Sequence, residues 1–281
     1  MIINGKNIAA KIKTQVKNEV EELKKQGITP GLAVILIGED PASKIYVNNK
    51  KKACEETGIY SEEYFLPKST SQKDLINLIK KLNSNNSING ILTQLPLPNH
   101  IDEHEIANYI DPQKDVDVFN PSNIGKIMTG DAKLLPCTPA GIIEILDHEK
   151  ISVDGKNCVV IGRSNIVGKP IALLLLQKNG TVTICHSKTK NLKEICQMAD
   201  IIISAVGKPC FVTKDMIKKE TVVIDVGINR KSDGTICGDV DFENVAPLTS
   251  YITPVPGGVG PMTIAMLMKN TLIATKLQNN I

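Results

Sequence analysis

The 281-residue chain has no tryptophan, and aromatic residues make up only 3% of it. Single-stranded nucleic acid is gripped by aromatic faces beside a basic stripe. Here the formal net charge is only +3, with lysines dispersed among carboxylates, so nucleic acid is not an expected partner. The seven cysteines, at 54, 137, 158, 185, 196, 210 and 237, form no C-x-x-C pair, so neither a structural zinc site nor a disulfide framework is expected. Most lie in apolar contexts such as Val-Thr-Ile-Cys185, where a thiol serves as a small core residue in a reducing compartment. Apolar runs are short and interrupted by charge, and the first fifteen residues are amphipathic in place of a basic segment followed by an apolar one. The expectation is a soluble, untargeted, cytoplasmic protein without a membrane partner or a bound metal.

What is present is enough apolar residue, 42%, to build a substantial core, and enough length for two domains. Over 7–26, Ile8, Ile12, Val16, Val20 and Leu23 recur at nearly four-residue intervals, predicting a helix that ends at Gly27. A strand at 32–37, a helix at 43–57, a strand near Tyr64, a helix around 75–82 and a strand at 90–94 follow. Strands joined through helices are most simply parallel, with ligands at their carboxyl ends. A second alternating series has strands at 157–161, 181–185, 201–205 and 222–226, with helices from Val167 and from Leu192, and reads as a Rossmann-type unit. The apolar segment 262–277 is a further helix, expected to return to the first domain. The predicted fold is therefore α/β in two domains: residues 1–140 with 261–281 as a substrate domain, and 141–260 as a Rossmann-type cofactor domain.

In the cofactor half, Gly162-Arg-Ser-Asn-Ile-Val-Gly168 joins a buried strand to an apolar helix, where glycines let amides and a helix N-terminus approach a pyrophosphate. Its spacing departs from G-x-G-x-x-G, and an ordinary tight turn is the competing reading. NAD-binding domains place a carboxylate about twenty residues beyond the first glycine, but this chain has His186-Ser-Lys-Thr189 there. Arg163 and Ser187 could instead hold a 2′-phosphate, which argues for NADP. Ser204-Ala-Val-Gly207 and Asp225-Val-Gly-Ile-Asn229, at later strand ends, leave room for the nicotinamide side.

In the other half, Tyr46 and Lys50 lie four residues apart, on one face of a helix. A desolvated lysine beside a phenol can lose its proton near neutral pH and act as a general base. Lys50-Lys-Lys52 could equally be a solvated face. Gln94, at a strand end before Pro96 and Pro98, can donate and accept, and so could orient a lysine or a heterocycle, or simply satisfy backbone groups. Asp115 and Asp117 share a face if their segment is extended, and one could clamp the N–H edge of a ring.

Together with Pro136-Cys-Thr-Pro139 and Pro254-Val-Pro-Gly-Gly-Val-Gly-Pro-Met-Thr263, these segments resemble, in order and over nearly the whole chain, the bifunctional methylenetetrahydrofolate dehydrogenase/methenyltetrahydrofolate cyclohydrolase family. The resemblance implies NADP-dependent oxidation of 5,10-methylenetetrahydrofolate, then hydrolysis to 10-formyltetrahydrofolate, within one-carbon metabolism and purine biosynthesis. It implies a cleft between the two domains holding both ligands, and a homodimer formed through the cofactor domains. By it, Lys50 is the catalytic lysine, Tyr46 stacks near the folate and tunes that lysine, Gln94 holds the lysine and the one-carbon unit, and Asp117 binds the pterin. Gly162, Arg163, Ser164, Ser187 and Ile228 contact NADP. Gly258, Val259 and Gly260 border nicotinamide and folate, and Pro261 starts the returning helix.

One departure stands out. Where the family continues Gly-Phe-His after Lys-Asp-Val-Asp, this chain has Val118-Phe119-Asn120, and a valine would resist any positive φ required there, shifting the pterin loop. The competing functions are a monofunctional dehydrogenase of the same fold, a related NADP-dependent dehydrogenase acting on an amino acid or a shikimate-like acid, and a catalytically silent NADP-binding protein.

Overall fold

The computed structural model describes residues 1–231 and 233–281. In chain order its elements begin α1 (Gly5–Lys25), β1 (Gly31–Ile37), α2 (Pro41–Thr57), β2 (Tyr60–Leu66), α3 (Gln72–Asn83), β3 (Gly90–Thr93), α4 (Glu103–Tyr109), α5 (Pro121–Thr129) and α6 (Cys137–His148). They continue β4 (Asn157–Ile161), α7 (Gly168–Gln177), β5 (Thr181–Cys185), α8 (Leu192–Gln197), β6 (Ile201–Ser204), β7 (Thr221–Asp225), β8 (Asn229–Arg230) and β9 (Ile236–Cys237). The last three are α9 (Phe242–Val245), β10 (Thr249–Ile252) and α10 (Val259–Gln278). The chain forms two compact units, one of Ala10–Cys137 with Ile264–Ile281, the other of Met1–Ala9 with Thr138–Thr263.

The first unit has a parallel three-stranded sheet in the order β2-β1-β3. All seven residues of β1 are buried, as befits a central strand covered on both faces. One of its cores gathers Ile35, Ile37, Leu75, Ile79, Leu82, Ile88 and Ile91, each side chain contributing about 1.5–3 kcal/mol on burial. α2 starts where Asp40 accepts a hydrogen bond from the Ser43 amide at 2.8 Å, with Pro41 in the first turn, and stops at left-handed Gly58. The buried Lys114 caps the carboxyl end of α3: its Nζ donates to the carbonyls of Leu82 and Asn85 at 3.1 and 2.8 Å. The carboxyl-terminal part of α10 belongs to this unit, as its apolar pattern predicts. Met268 meets Cys54 there, with Sγ and Sδ 3.7 Å apart, and Gln278 donates to the Asn89 carbonyl at 2.9 Å.

The second unit is a five-stranded parallel sheet in the order β10-β7-β6-β4-β5, the Rossmann arrangement the β/α alternation predicts. Two parts of it escape that pattern. β10 is a fifth strand of only four residues, mostly half-buried, so it carries no apolar run. The amino-terminal residues also join this unit, with Ile2 bridging Ile252 and the Ile3 amide donating to the Ile252 carbonyl at 2.8 Å. The core combines Val159, Ile161, Cys185, Cys196, Ile202, Val223 and Ile252. Five of the seven cysteines are buried, while Cys210 is exposed and Cys237 half-buried.

Candidate active site

In the first unit, the helix pitch of α2 places Tyr46 and Lys50 one turn apart, and the short β3 delivers Gln94 to them. Lys50 is 7% exposed, whereas Lys51 and Lys52 face solvent. The lysine run is thus a solvated face with one member turned inward. The Lys50 Nζ donates to Gln94 Oε1 at 2.9 Å, and Gln94 Nε2 donates to the Leu95 carbonyl at 2.8 Å. Burial lowers the Lys50 pKa from its usual value, and the negative field of Asp117 opposes that shift. Tyr46 is half-buried, and burial raises its phenol pKa. This amine is therefore readier than a surface lysine to give up its proton, while the tyrosine keeps its own.

The segment bearing the two aspartates is a turn, so they do not form one extended face. Asp115 is buried and accepts from the amides of Phe119 and Asn120 at 3.1 and 2.9 Å and from Asn123 Nδ2 at 3.0 Å. It is a loop organiser. Asp117 stays half-buried and within electrostatic reach of Lys50 and Cys137. Val118 nonetheless occupies the left-handed region: it sits at φ 62° and is fully buried, and its amide donates to the Asp115 carbonyl at 3.3 Å. Such a conformation costs a β-branched residue about 1–3 kcal/mol, which its burial and the Asp115 network offset.

Two residues here were not read as functional from their own sequence context. Cys137 is buried beside Asp117, and burial with that carboxylate's charge raises its thiol pKa well above normal. Asn270, on α10, donates through Nδ2 to the carbonyls of Val116 and Leu135, both at 2.8 Å, and so pins the backbone next to Asp117. Nothing near residue 270 announces this, because both acceptors are more than 130 positions away.

In the second unit, β4 is the strand at which the sheet order reverses, and Gly162 lies at its carboxyl end. A Cβ at Gly162 would overlap the Ala205 carbonyl oxygen, and one at Gly168 would overlap that of Gly162, so no larger residue allows this close strand–helix approach. Ser164 Oγ accepts from the amides of Val167 and Gly168, both at 3.2 Å, at the start of α7. Ser164 thus ties the turn to the first residues of α7, and its exposed hydroxyl keeps one donor for a further partner. Arg163 and Ser187 are exposed beside this turn and at the end of β5 respectively. The β5 end folds back on itself, His186 accepting at Nδ1 from the Lys188 amide at 3.2 Å and donating its amide to Thr189 Oγ1 at 2.8 Å. No carboxylate lies between 185 and 190, so a phosphorylated ribose meets no repulsion. These residues fit NADP.

Ile228 is 49% exposed at the end of β7. Gly258 and Val259 are buried, while Gly260 and Pro261 are half-buried. The helix carrying them begins at Val259, two residues before Pro261, which is tolerated because the first turn of a helix has no internal partner for its N–H groups. Among the described residues no cluster of three or more His, Cys, Asp or Glu side chains could hold a metal ion.

Residues 3–117 match the family described as tetrahydrofolate dehydrogenase/cyclohydrolase, catalytic domain, and residues 136–279 match its NAD(P)-binding domain. The bifunctional protein FolD of Acetivibrio thermocellus is 59% identical over 277 residues, covering 99% of this chain and 97% of its own. The crystal structure of the bifunctional FolD dehydrogenase/cyclohydrolase from Campylobacter jejuni is 49% identical and superposes with a TM-score of 0.97 over 99% of each chain. The Trypanosoma brucei methylenetetrahydrofolate dehydrogenase-cyclohydrolase, solved with NADP cofactor and inhibitor, is 36% identical, with a TM-score of 0.96 over 100% of this chain and 99% of that one. With Lys50 buried against Gln94, a glycine-tight β4–α7 turn and these full-length matches, the chain belongs to the bifunctional tetrahydrofolate dehydrogenase/cyclohydrolase family.

Proposed function

We propose that the chain oxidises 5,10-methylenetetrahydrofolate with NADP⁺, then hydrolyses the 5,10-methenyl product to 10-formyltetrahydrofolate, with Lys50 as proton carrier of the second step. The observation carrying this reading is the buried Lys50 amine held by Gln94 at 2.9 Å. NADP⁺ supplies the hydride acceptor of the first step. The methenyl cation is stabilised by its flanking nitrogens, so the protein's task there is to position the folate, with Tyr46 against the ring system and Asp117 accepting from the pterin N–H edge.

Hydrolysis needs proton movement. Unprotonated Lys50 takes a proton from water as its oxygen bonds to the methenyl carbon. The resulting ammonium returns a proton to the departing ring nitrogen as the carbon–nitrogen bond breaks. Loss of the hydroxyl proton completes the formyl group, so one proton is released overall. Gln94 keeps Nζ aimed through both transfers, and its accepting oxygen also steadies the ammonium form.

Arg163 and Ser187 hold the 2′-phosphate, Gly162 and Ser164 the pyrophosphate, and Ile228, Gly258 and Val259 the nicotinamide side, with Gly260 and Pro261 on the folate side. Two chains pair through their cofactor units, which the exposed Thr181, Thr183 and Ile184 of edge strand β5 support. The protein works in the cytoplasm. Among the described residues no helix is long and apolar enough to cross a membrane.

The test is to incubate the protein with 5,10-methylenetetrahydrofolate and NADP⁺, recording NADPH, methenyl and formyl products separately. NADPH together with formyl product above the uncatalysed rate supports the reading. Accumulating methenyl product would leave a dehydrogenase alone, and no NADPH would refute the oxidation.

A further inference from the structure

We propose that Asp239 is a positioning residue for the dehydrogenase step: its buried carboxylate fixes the loops after β6 and β7 in the shape that receives the nicotinamide half of NADP. This rests on the NADP reading above. Asp239 is 0% exposed. Its Oδ2 accepts from the amides of Val206 and Gly207 at 2.7 and 3.1 Å and, more distantly, from Ser204 Oγ at 3.5 Å. Its Oδ1 accepts from the Lys208 amide and from Asn229 Nδ2, both at 2.9 Å. Three consecutive backbone amides after β6 thus wrap one carboxylate, which also holds the side chain following Ile228 after β7.

Asp239 is itself held by a second buried acid. Asp225 Oδ1 accepts from the amides of Gly227 and Asp239, both at 2.9 Å, and its Oδ2 from the Val240 amide at 2.9 Å. The Asp225 amide donates to Thr253 Oγ1 at 2.7 Å, which adds the end of β10 to the same lock. The fit leaves no slack: a Cβ at Gly227 would overlap the Asp239 carboxylate, and one at Gly238 would overlap that of Asp225. Two desolvated carboxylates are an expensive way to gain stability, which apolar packing supplies more cheaply. What they provide is a fixed outline for three strand-end loops.

The topology says which half of the dinucleotide those loops face. β5 lies on one side of β4, and its end carries Ser187; β6 and β7 lie on the other side. A dinucleotide crossing the carboxyl end of the switch strand with its phosphorylated ribose toward β5 must place its nicotinamide toward β6 and β7. There it meets exposed Gly207, whose amide Asp239 holds, and exposed Ile228, which precedes the anchored Asn229.

The test is Asp239→Asn. An amide nitrogen at 239 must face either the Val206 and Gly207 N–H groups or those of Lys208 and Asn229, so one loop loses its anchor whichever way the amide turns. The expected result is a KM and a directly measured Kd for NADP raised about tenfold or more, as loss of an anchoring hydrogen-bond set implies. The KM for methylenetetrahydrofolate and NADP-free hydrolysis of methenyltetrahydrofolate should change by less than about twofold, since a residue acting through the cofactor loops does not touch that step. Asn229→Ala, which removes a single anchor, should raise the NADP KM less while leaving hydrolysis alone, and it decides the matter if Asp239→Asn does not fold. An unchanged NADP KM and Kd in the folded variant, or an equal loss of both activities, overturns the proposal. A wild-type protein that forms no NADPH overturns instead the functional reading on which it rests.

Discussion

Gln94 is fixed at both ends of its amide: the oxygen accepts from Lys50 Nζ at 2.9 Å while the nitrogen donates to the Leu95 carbonyl at 2.8 Å. The amide cannot flip without losing both bonds, so the lysine always meets an acceptor. Gln94→Leu keeps the bulk and removes that acceptor. Hydrolysis of methenyltetrahydrofolate should fall about 10- to 100-fold, less than the roughly 10²–10⁴-fold that a positioned acid–base group contributes, because Lys50 itself remains. Its rate in wild type should rise with pH through a Lys50 pKa that burial places below the ordinary lysine value. A stopped-flow pH series of both proteins checks this.

Arg163 is exposed beside the β4–α7 turn, and no carboxylate lies at the end of β5. Arg163→Ala should therefore weaken NADP⁺ about tenfold or more while changing NAD⁺ little, since a charge-assisted phosphate contact contributes about 1.5–3 kcal/mol. Equal weakening of both cofactors in binding titrations would remove Arg163 from 2′-phosphate recognition.

Val118 combines a φ of 62° with complete burial. Val118→Gly relieves about 1–3 kcal/mol of backbone strain but gives up a similar amount of apolar burial, so stability should change by no more than about 1 kcal/mol. At buried Val116 there is no such strain to relieve, and Val116→Ala should cost about 2 kcal/mol. Urea denaturation midpoints of the two variants provide the comparison.

Asp225 makes the stability of the fold depend on pH. Burial is the main cause that raises its pKa to about 6 from 3.8, with Asp239 adding to the rise and three backbone amides opposing it. Between those values the folded protein holds more protons than the unfolded chain. This group's contribution to stability is therefore fully present below pH 3.8 and lost as pH rises through about 6. The difference amounts to roughly 3 kcal/mol. Wild-type stability measured against Asp225→Asn should fall by about that much between about pH 4 and pH 7, and a flat difference would contradict the assignment.

The parts legible in the sequence were those written in local periodicity. The four-residue spacing of α1, the apolar runs of β1, β3, β4, β6 and β7, and the single-turn spacing of Tyr46 and Lys50 each imply their structure within a short window. The parts that were not legible depend on partners far along the chain. Asn270 acts on carbonyls at 116 and 135, Asp239 binds amides at 206–208, and β10 is a strand only because β7 lies beside it. The lysine run by itself could not say which of its members turns inward, since the hydrogen-bond partner of Lys50, Gln94, lies on another element. The valine at 118 was legible as a departure, but its tolerance was not, because the network of Asp115 that holds the loop is tertiary.

The most direct measurement is NADP-free hydrolysis of methenyltetrahydrofolate by wild type and by Lys50→Met, with NADP-dependent oxidation of methylenetetrahydrofolate measured on the same preparations. Hydrolysis in the variant is expected to drop by at least about 100-fold while hydride transfer stays measurable, because only the second step needs a proton carrier. Hydrolysis at the wild-type rate would show that the buried lysine is not the group that moves the proton.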